Sequence, residues 1–158
     1  MKELLSAQYE LVKGARGALL TYCATITEDL FKSVPAFNDS SIRDLLVHNA
    51  NTYISWLDNF GMDGVRMFYS NNQVNNLNDI GSLYKEVDQI VEDFLDRYND
   101  DYMRPMTKYI ARKDITFTLS PLQLFTHVTT HEFHHKGQIL TMSRLLGYVP
   151  VDTDVIRT

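Results

Sequence analysis

Cysteine is nearly absent: Cys23 stands alone among 158 residues. One thiol closes no internal disulfide, so the fold does not depend on an oxidising compartment. A catalytic thiol needs a basic or helix-N-terminal setting. Cys23 has neither, and reads as a small buried apolar residue on the first helix. Proline is scarce as well. Pro35, Pro105, Pro121 and Pro150 act as punctuation between elements. No stretch approaches the ~18 uninterrupted apolar residues of a spanning helix. The start, Met1-Lys2-Glu3-Leu4-Leu5, carries an early acid and no apolar run, unlike a signal peptide. These absences lead to the expectation of a soluble cytoplasmic protein with no membrane partner. A basic excess is also missing. The net charge is −5, and the densest cationic stretch, Arg104 to Lys113, is short and mixed. Nucleic acid is therefore disfavoured as a partner.

What is present is ordinary globular material, 44% apolar and 22% charged. Without repeats or linkers, residues 1–158 are expected to form one domain. Leu4, Leu5, Leu11, Val12, Leu19 and Leu20 predict a first helix from about Lys2 to about Ile26. Its Gly14-Ala15 and Gly17-Ala18 pairs suggest close approach of a neighbouring helix. Ser41 and Asp44 form a variant capping box opening a second helix. Ile42, Leu45, Leu46, Tyr53, Trp56, Leu57 and Phe60 make its stripe, and Gly61 and Gly64 end it. Asparagine-rich Phe68 to Asn78 reads as a loop. A third helix follows from about Ser82 to about Tyr98, with Leu83, Val87, Ile90 and Phe94 beside Tyr84, Val91, Leu95 and Tyr98. Alternation over Ile115 to Leu119 predicts a strand, pairing with Thr107 to Ala111 in a hairpin laid on the helices. Ser120 and Pro121 open a fourth helix running to about Leu146, with Gly147 and Pro150 beyond. The expected class is all-α, an up-down four-helix bundle with a longer connection between its third and fourth helices.

Four of the five histidines, His127, His131, His134 and His135, lie on that fourth helix; His48 lies on the second. At ~100° per residue, His135 falls near the middle of the stripe of Leu124, Phe125, Val128, Ile139, Met142 and Leu146, with His131 ~40° away. His127 and His134 fall ~80–100° to one flank. Two inward imidazoles one turn apart can reach one metal ion, and a metal also satisfies two otherwise unpartnered buried rings. Such a pair wants a third ligand. His48, at the edge of its stripe, competes for that role with Asp44 and Asp58. Glu132 is rotated ~100° from His131 and is a poor candidate for a base. Tyr9, Tyr53, Trp56 and Tyr102 are either core or pocket lining.

His131-Glu-Phe-His-His135-Lys136-Gly137-Gln138-Ile139 resembles the H-x-x-x-H-R-G-Q signature of DinB-like (DinB/YfiT) proteins. Ser41-Ile-Arg-Asp-Leu-Leu-Val-His48 resembles their second-helix segment, and Leu146-Gly147-Tyr-Val-Pro150 their exit from the last helix. The resemblance implies a four-helix bundle in which His48, His131 and His135 bind one divalent metal, typically nickel or zinc. Lys136 stands where arginine is usual, keeping the charge and losing the planar fork. His127 and Gln138 become candidates to hold the ligand rings from outside. Three protein ligands leave an open position, as catalytic metal sites do.

Some relatives join a low-molecular-weight thiol to an electrophile, so the first functional expectation is a metal-dependent thiol S-transferase acting on a small molecule. A metal-dependent hydrolase is the second. The third is a non-enzymatic metal-binding stress protein, in keeping with the damage-inducible expression behind the family's name. Leu122, Phe133 and Leu140 form a second apolar row, which either packs on the Arg104 to Leu119 segment or serves a homodimer, an assembly frequent in the family.

Overall fold

A computed structural model describes residues 1–110 and 114–157. The chain is mostly helical. Among the described residues its elements run α1 (Lys2–Cys23), α2 (Glu28–Lys32), α3 (Ile42–Tyr53), α4 (Leu77–Tyr98), β1 (Met106–Ile110), β2 (Ile115–Leu119) and α5 (Pro121–Leu145). α3 continues as π-helical turns over Ile54–Gly61, and a 3-10 turn covers Asn71–Gln73.

Local chemistry sets these boundaries. Ser41 Oγ accepts from the Asp44 N–H, and Asp44 returns the bond to the Ser41 N–H. Ser120 and Gln123 do the same ahead of Pro121. Gly147 follows α5 at φ +89°, a conformation that favours glycine. Two expected boundaries are wrong. α1 ends at Cys23 rather than near Ile26, because the N–H groups of Thr25 and Ile26 bond back three residues, to Tyr22 and Cys23. α4 begins at Leu77 rather than near Ser82. Asn76 Oδ1 accepts from the N–H groups of Asn78 (2.8 Å) and Asp79 (3.1 Å), so an asparagine read as loop is in fact the cap. The five-residue α2 was not foreseen.

The stripes converge on one apolar cluster. Leu5, Val12 and Leu19 of α1 enter it with Ile42, Leu46 and Leu57, with Val87, Ile90 and Phe94, and with Phe125, Val128 and Ile139. Leu4 and Leu11 of the expected α1 stripe are instead exposed. α3 packs against both α4 and α5, and α1 chiefly against α4. Glycine does not draw a helix close to α1: a Cβ at Gly17 meets no described atom within 4 Å, and one at Gly14 meets only Arg157. Cys23 is fully buried, and burial pushes its thiol pKa up to about 12.

β1 and β2 pair antiparallel, Met106 opposite Leu119 and Ile110 opposite Ile115. Ala111, the expected end of the first strand, lies outside the described residues. The hairpin rests on the π-helical end of α3. Phe117 packs edge-on against Trp56 and Phe60, and Lys108 donates to the Phe60 carbonyl. Leu122, Phe133 and Leu140 are half-buried against the core, with Phe133 beside Val12 and Leu19 of α1 rather than on the hairpin.

Candidate metal centre

The two caps fix the registers of α3 and α5, and the histidines follow from them. His48 lies against His131 and His135, Tyr53 reaches Glu132, and Trp56 lies against His127. Later residues of α3 meet earlier residues of α5, so the two helices run antiparallel. Ring centroids are 5.1 Å apart for His48 and His131, 4.9 Å for His48 and His135, and 4.4 Å for His131 and His135. One nitrogen from each of the three rings lies within 4.8 Å of the others. The Nε2 atoms of His48 and His131 are 3.0 Å apart. Metal–nitrogen bonds of about 2.0–2.1 Å in a tetrahedron require spacings of about 3.3 Å, so the His48–His131 pair is already near ligand spacing and the His135 nitrogen is within 4.8 Å of both.

Electrostatics favours neutral rings. Burial, then the neighbouring His135, His48, His127 and His134, pushes the His131 pKa down to about 4. Burial lowers His48, His127 and His135 too, with the Gln138 contact opposing it at His135. Neutral imidazoles at neutral pH keep the lone pairs that a metal takes. His135 Nδ1 donates to Gln138 Oε1 at 2.6 Å, which leaves Nε2 as that ring's lone-pair nitrogen. Asn38 also donates to Gln138 Oε1, and Gln138 Nε2 faces His134. His127 stands one turn from His131, centroids 5.5 Å apart, and its ring packs edge-on to Trp56 at 5.2 Å. His134 stays on the exposed flank.

His48 is exposed, whereas only 8% of His135 is. The cluster opens on that side into a cavity of about 400 Å³, which His48 and His135 line with Asn38, Ser40, Asp44 and Asn51. Asp44 is thus close by but spent on its cap. Asp58 pairs with Arg66 instead, at 3.2 Å. Of the four aromatic candidates, Tyr9, Tyr53 and Tyr102 are core, and Trp56 alone is half-open to a cavity. Lys136 points away from the histidines. Its Nζ donates to the Thr153 carbonyl at 2.6 Å and holds the C-terminal segment on α5.

Behind the cluster lies a polar network that the sequence reading missed. Arg16 of α1 grips Glu132 with two bonds, Nε to Oε1 at 2.8 Å and Nη2 to Oε2 at 3.0 Å. Tyr53 donates to Glu132 Oε2 at 2.6 Å. Arg16 also reaches Asp88 and Tyr9, and Tyr9 donates to Asp88. Burial and then the Glu132 charge push the Tyr53 pKa up, so its hydroxyl stays a donor. A signal was available. Arg16 lies in the stripe between Val12 and Leu19, and a charge there demands a buried partner.

The DinB family model matches residues 1–158. The chain belongs to the DinB family. A comparison with curated proteins gives no match. In this DinB chain the three histidines of the family-like motifs are the ones brought together, from segments 83 residues apart, and among the described residues they form a group suited to holding a metal ion. Among the described residues, no helix is long and apolar enough to cross a membrane.

Proposed function

We propose that this DinB protein is a single-domain, up-down four-helix bundle of α1, α3, α4 and α5 that holds one divalent metal, nickel or zinc, through His48, His131 and His135. We further propose that it acts as a metal-dependent S-transferase, joining a low-molecular-weight thiol to an electrophilic small molecule. The observation that carries this reading is the convergence of three neutral imidazoles on a spot open to solvent through the His48 side. A bound divalent metal supplies Lewis acidity that favours a thiolate over a thiol at neutral pH. The chain's own residues do the rest. Gln138 fixes the tautomer of His135, and Asn38, Ser40 and Asn51 offer hydrogen bonds to a polar thiol carrier entering from the open side. Neutral His127, beside His131, can accept the proton that the thiol gives up.

Glu132 argues against the hydrolase. Both of its oxygens are occupied by Arg16 and Tyr53, so it has no freedom to serve as a base. A homodimer belongs to the reading as a family expectation; light scattering at low concentration should give the mass of two chains, and the mass of one would remove it.

Metal content by mass spectrometry tests the site. Wild type should carry close to one metal per chain, and His48→Ala and the pair His131→Ala/His135→Ala should carry almost none. Loaded protein should then conjugate a bacillithiol- or mycothiol-like thiol to a generic electrophile faster than buffer. Tight metal binding with no turnover would leave the metal-binding stress protein in its place.

A further inference from the structure

We infer that an apolar slot one helical turn from the histidine cluster holds the planar, aromatic part of the acceptor substrate. Trp56, Phe117, Leu119, Gln123, Leu124 and His127 line it, with a volume of about 270 Å³. The inference rests on the transferase reading and adds a substrate class to it.

Size comes first. A cavity of about 150 Å³ takes a benzene ring, so this one fits a substituted ring and excludes a folded peptide. Chemistry agrees: four apolar walls, two of them aromatic, with the polar His127 and Gln123, is the pattern of a small-molecule site. Trp56 is the key surface. It meets Phe60, Phe117 and His127 at centroid distances of 5.6, 5.5 and 5.2 Å, yet it remains only half-buried, with indole surface available to a flat ligand. It also sits on the π-helical stretch Ile54–Gly61; such turns are rare and gather at functional sites.

Location completes the case. His127 is the wall shared between slot and cluster, packed on Trp56 on one side and next to His131 on the other. A separate approach, past His48 and His135, is lined by Asn38, Ser40, Asp44 and Asn51. The row of histidines thus has a polar cavity against His48 and His135 and an apolar slot against His127. A hydrophilic thiol suits one and an apolar electrophile the other.

The chain has one tryptophan, so ligand in the slot reports on itself. The probe is 2,4-dinitroaniline, which does not react with thiols and whose absorption overlaps tryptophan emission. Titration should quench Trp56 saturably in both EDTA-treated and zinc-loaded protein. Leu119→Gln, which makes a wall polar, and Leu119→Phe, which fills the space, should each weaken binding about tenfold, the worth of one buried apolar side chain. Circular dichroism checks that both variants fold. Tyr109→Ala alters a second cavity that Trp56 also lines and should leave binding unchanged. No saturation, or a loss in Tyr109→Ala in place of the Leu119 variants, overturns the slot. Leu119-sensitive quenching in protein that takes up no metal would keep the slot and remove the transferase reading; metal uptake without such quenching would do the reverse.

Discussion

Gln138 shows how a single side chain sets the chemistry of another. Its Oε1 accepts from His135 Nδ1 at 2.6 Å, which fixes the tautomer and leaves Nε2 for a metal. Gln138→Leu keeps the size and removes the acceptor, so either nitrogen can then carry the hydrogen. Losing such an outer partner typically costs about 10–100-fold in metal affinity. A competition titration against a chromophoric chelator should show that loss, with the metal-free melting temperature nearly unmoved. Unchanged affinity would mean that Gln138 does not orient the ring. Legibility at this scale was uneven. His131 and His135 could be read from helical spacing because they lie within an apolar stripe. His48 could not, since the open side of the cluster places it at the edge of its stripe, and spacing left Asp44 and Asp58 equally eligible. The family-like motif pointed to it, and the fold then brought it to 3.0 Å from His131.

Between elements, the Arg16–Glu132–Tyr53 network ties α1 and α3 to α5 beside the histidines. Arg16 is 4% exposed, so its charge is held by partners rather than by water. Arg16→Met leaves the Glu132 carboxylate buried without its cation, and breaking a buried pair in this way costs about 3–5 kcal/mol. Replacing both partners, Arg16→Met with Glu132→Leu, removes the stranded charge and should recover much of that loss. Urea unfolding of the two single variants and the double variant measures the coupling; additive losses would show that the pair does not act as one unit. The sequence reading could not supply this network because its members are 116 positions apart. A helical wheel shows which face a residue occupies and says nothing of which helix lies opposite. The same limit explains the α4 start. Leu77 to Gly81 is weakly periodic, and only the Asn76 cap bonds establish that the helix has already begun. By contrast, the Ser41 and Ser120 caps were legible, because serine, its partner three residues on and, at α5, proline act within one turn.

For the molecule as a whole, the depressed histidine pKa values tie stability to pH and metal together. His131 falls from 6.5 to about 4, and His48 and His135 fall with it. The folded state therefore holds these protons less tightly than the unfolded chain. Between about pH 6.5 and pH 4 the unfolded state binds more protons, and stability declines as pH falls through that window. Above the unfolded value of about 6.5 nothing is lost. Metal sharpens the dependence, because it binds the same lone pairs that protons occupy. At neutral pH and a free metal concentration one hundred times Kd, binding adds about 2.7 kcal/mol. At about 2–4 °C per kcal/mol for a chain of this size, that raises the melting temperature by about 5–10 °C. Melting curves with zinc and with EDTA, from pH 7.5 down to 4.5, should show the metal increment shrinking as the ligands begin to protonate. His131→Asn should abolish the metal increment at every pH and flatten the metal-free slope, since one of the titrating rings is gone. A metal increment that does not shrink at all over this range, or that survives in His131→Asn, would mean that the ion is held elsewhere and that the cluster of histidines does not control it.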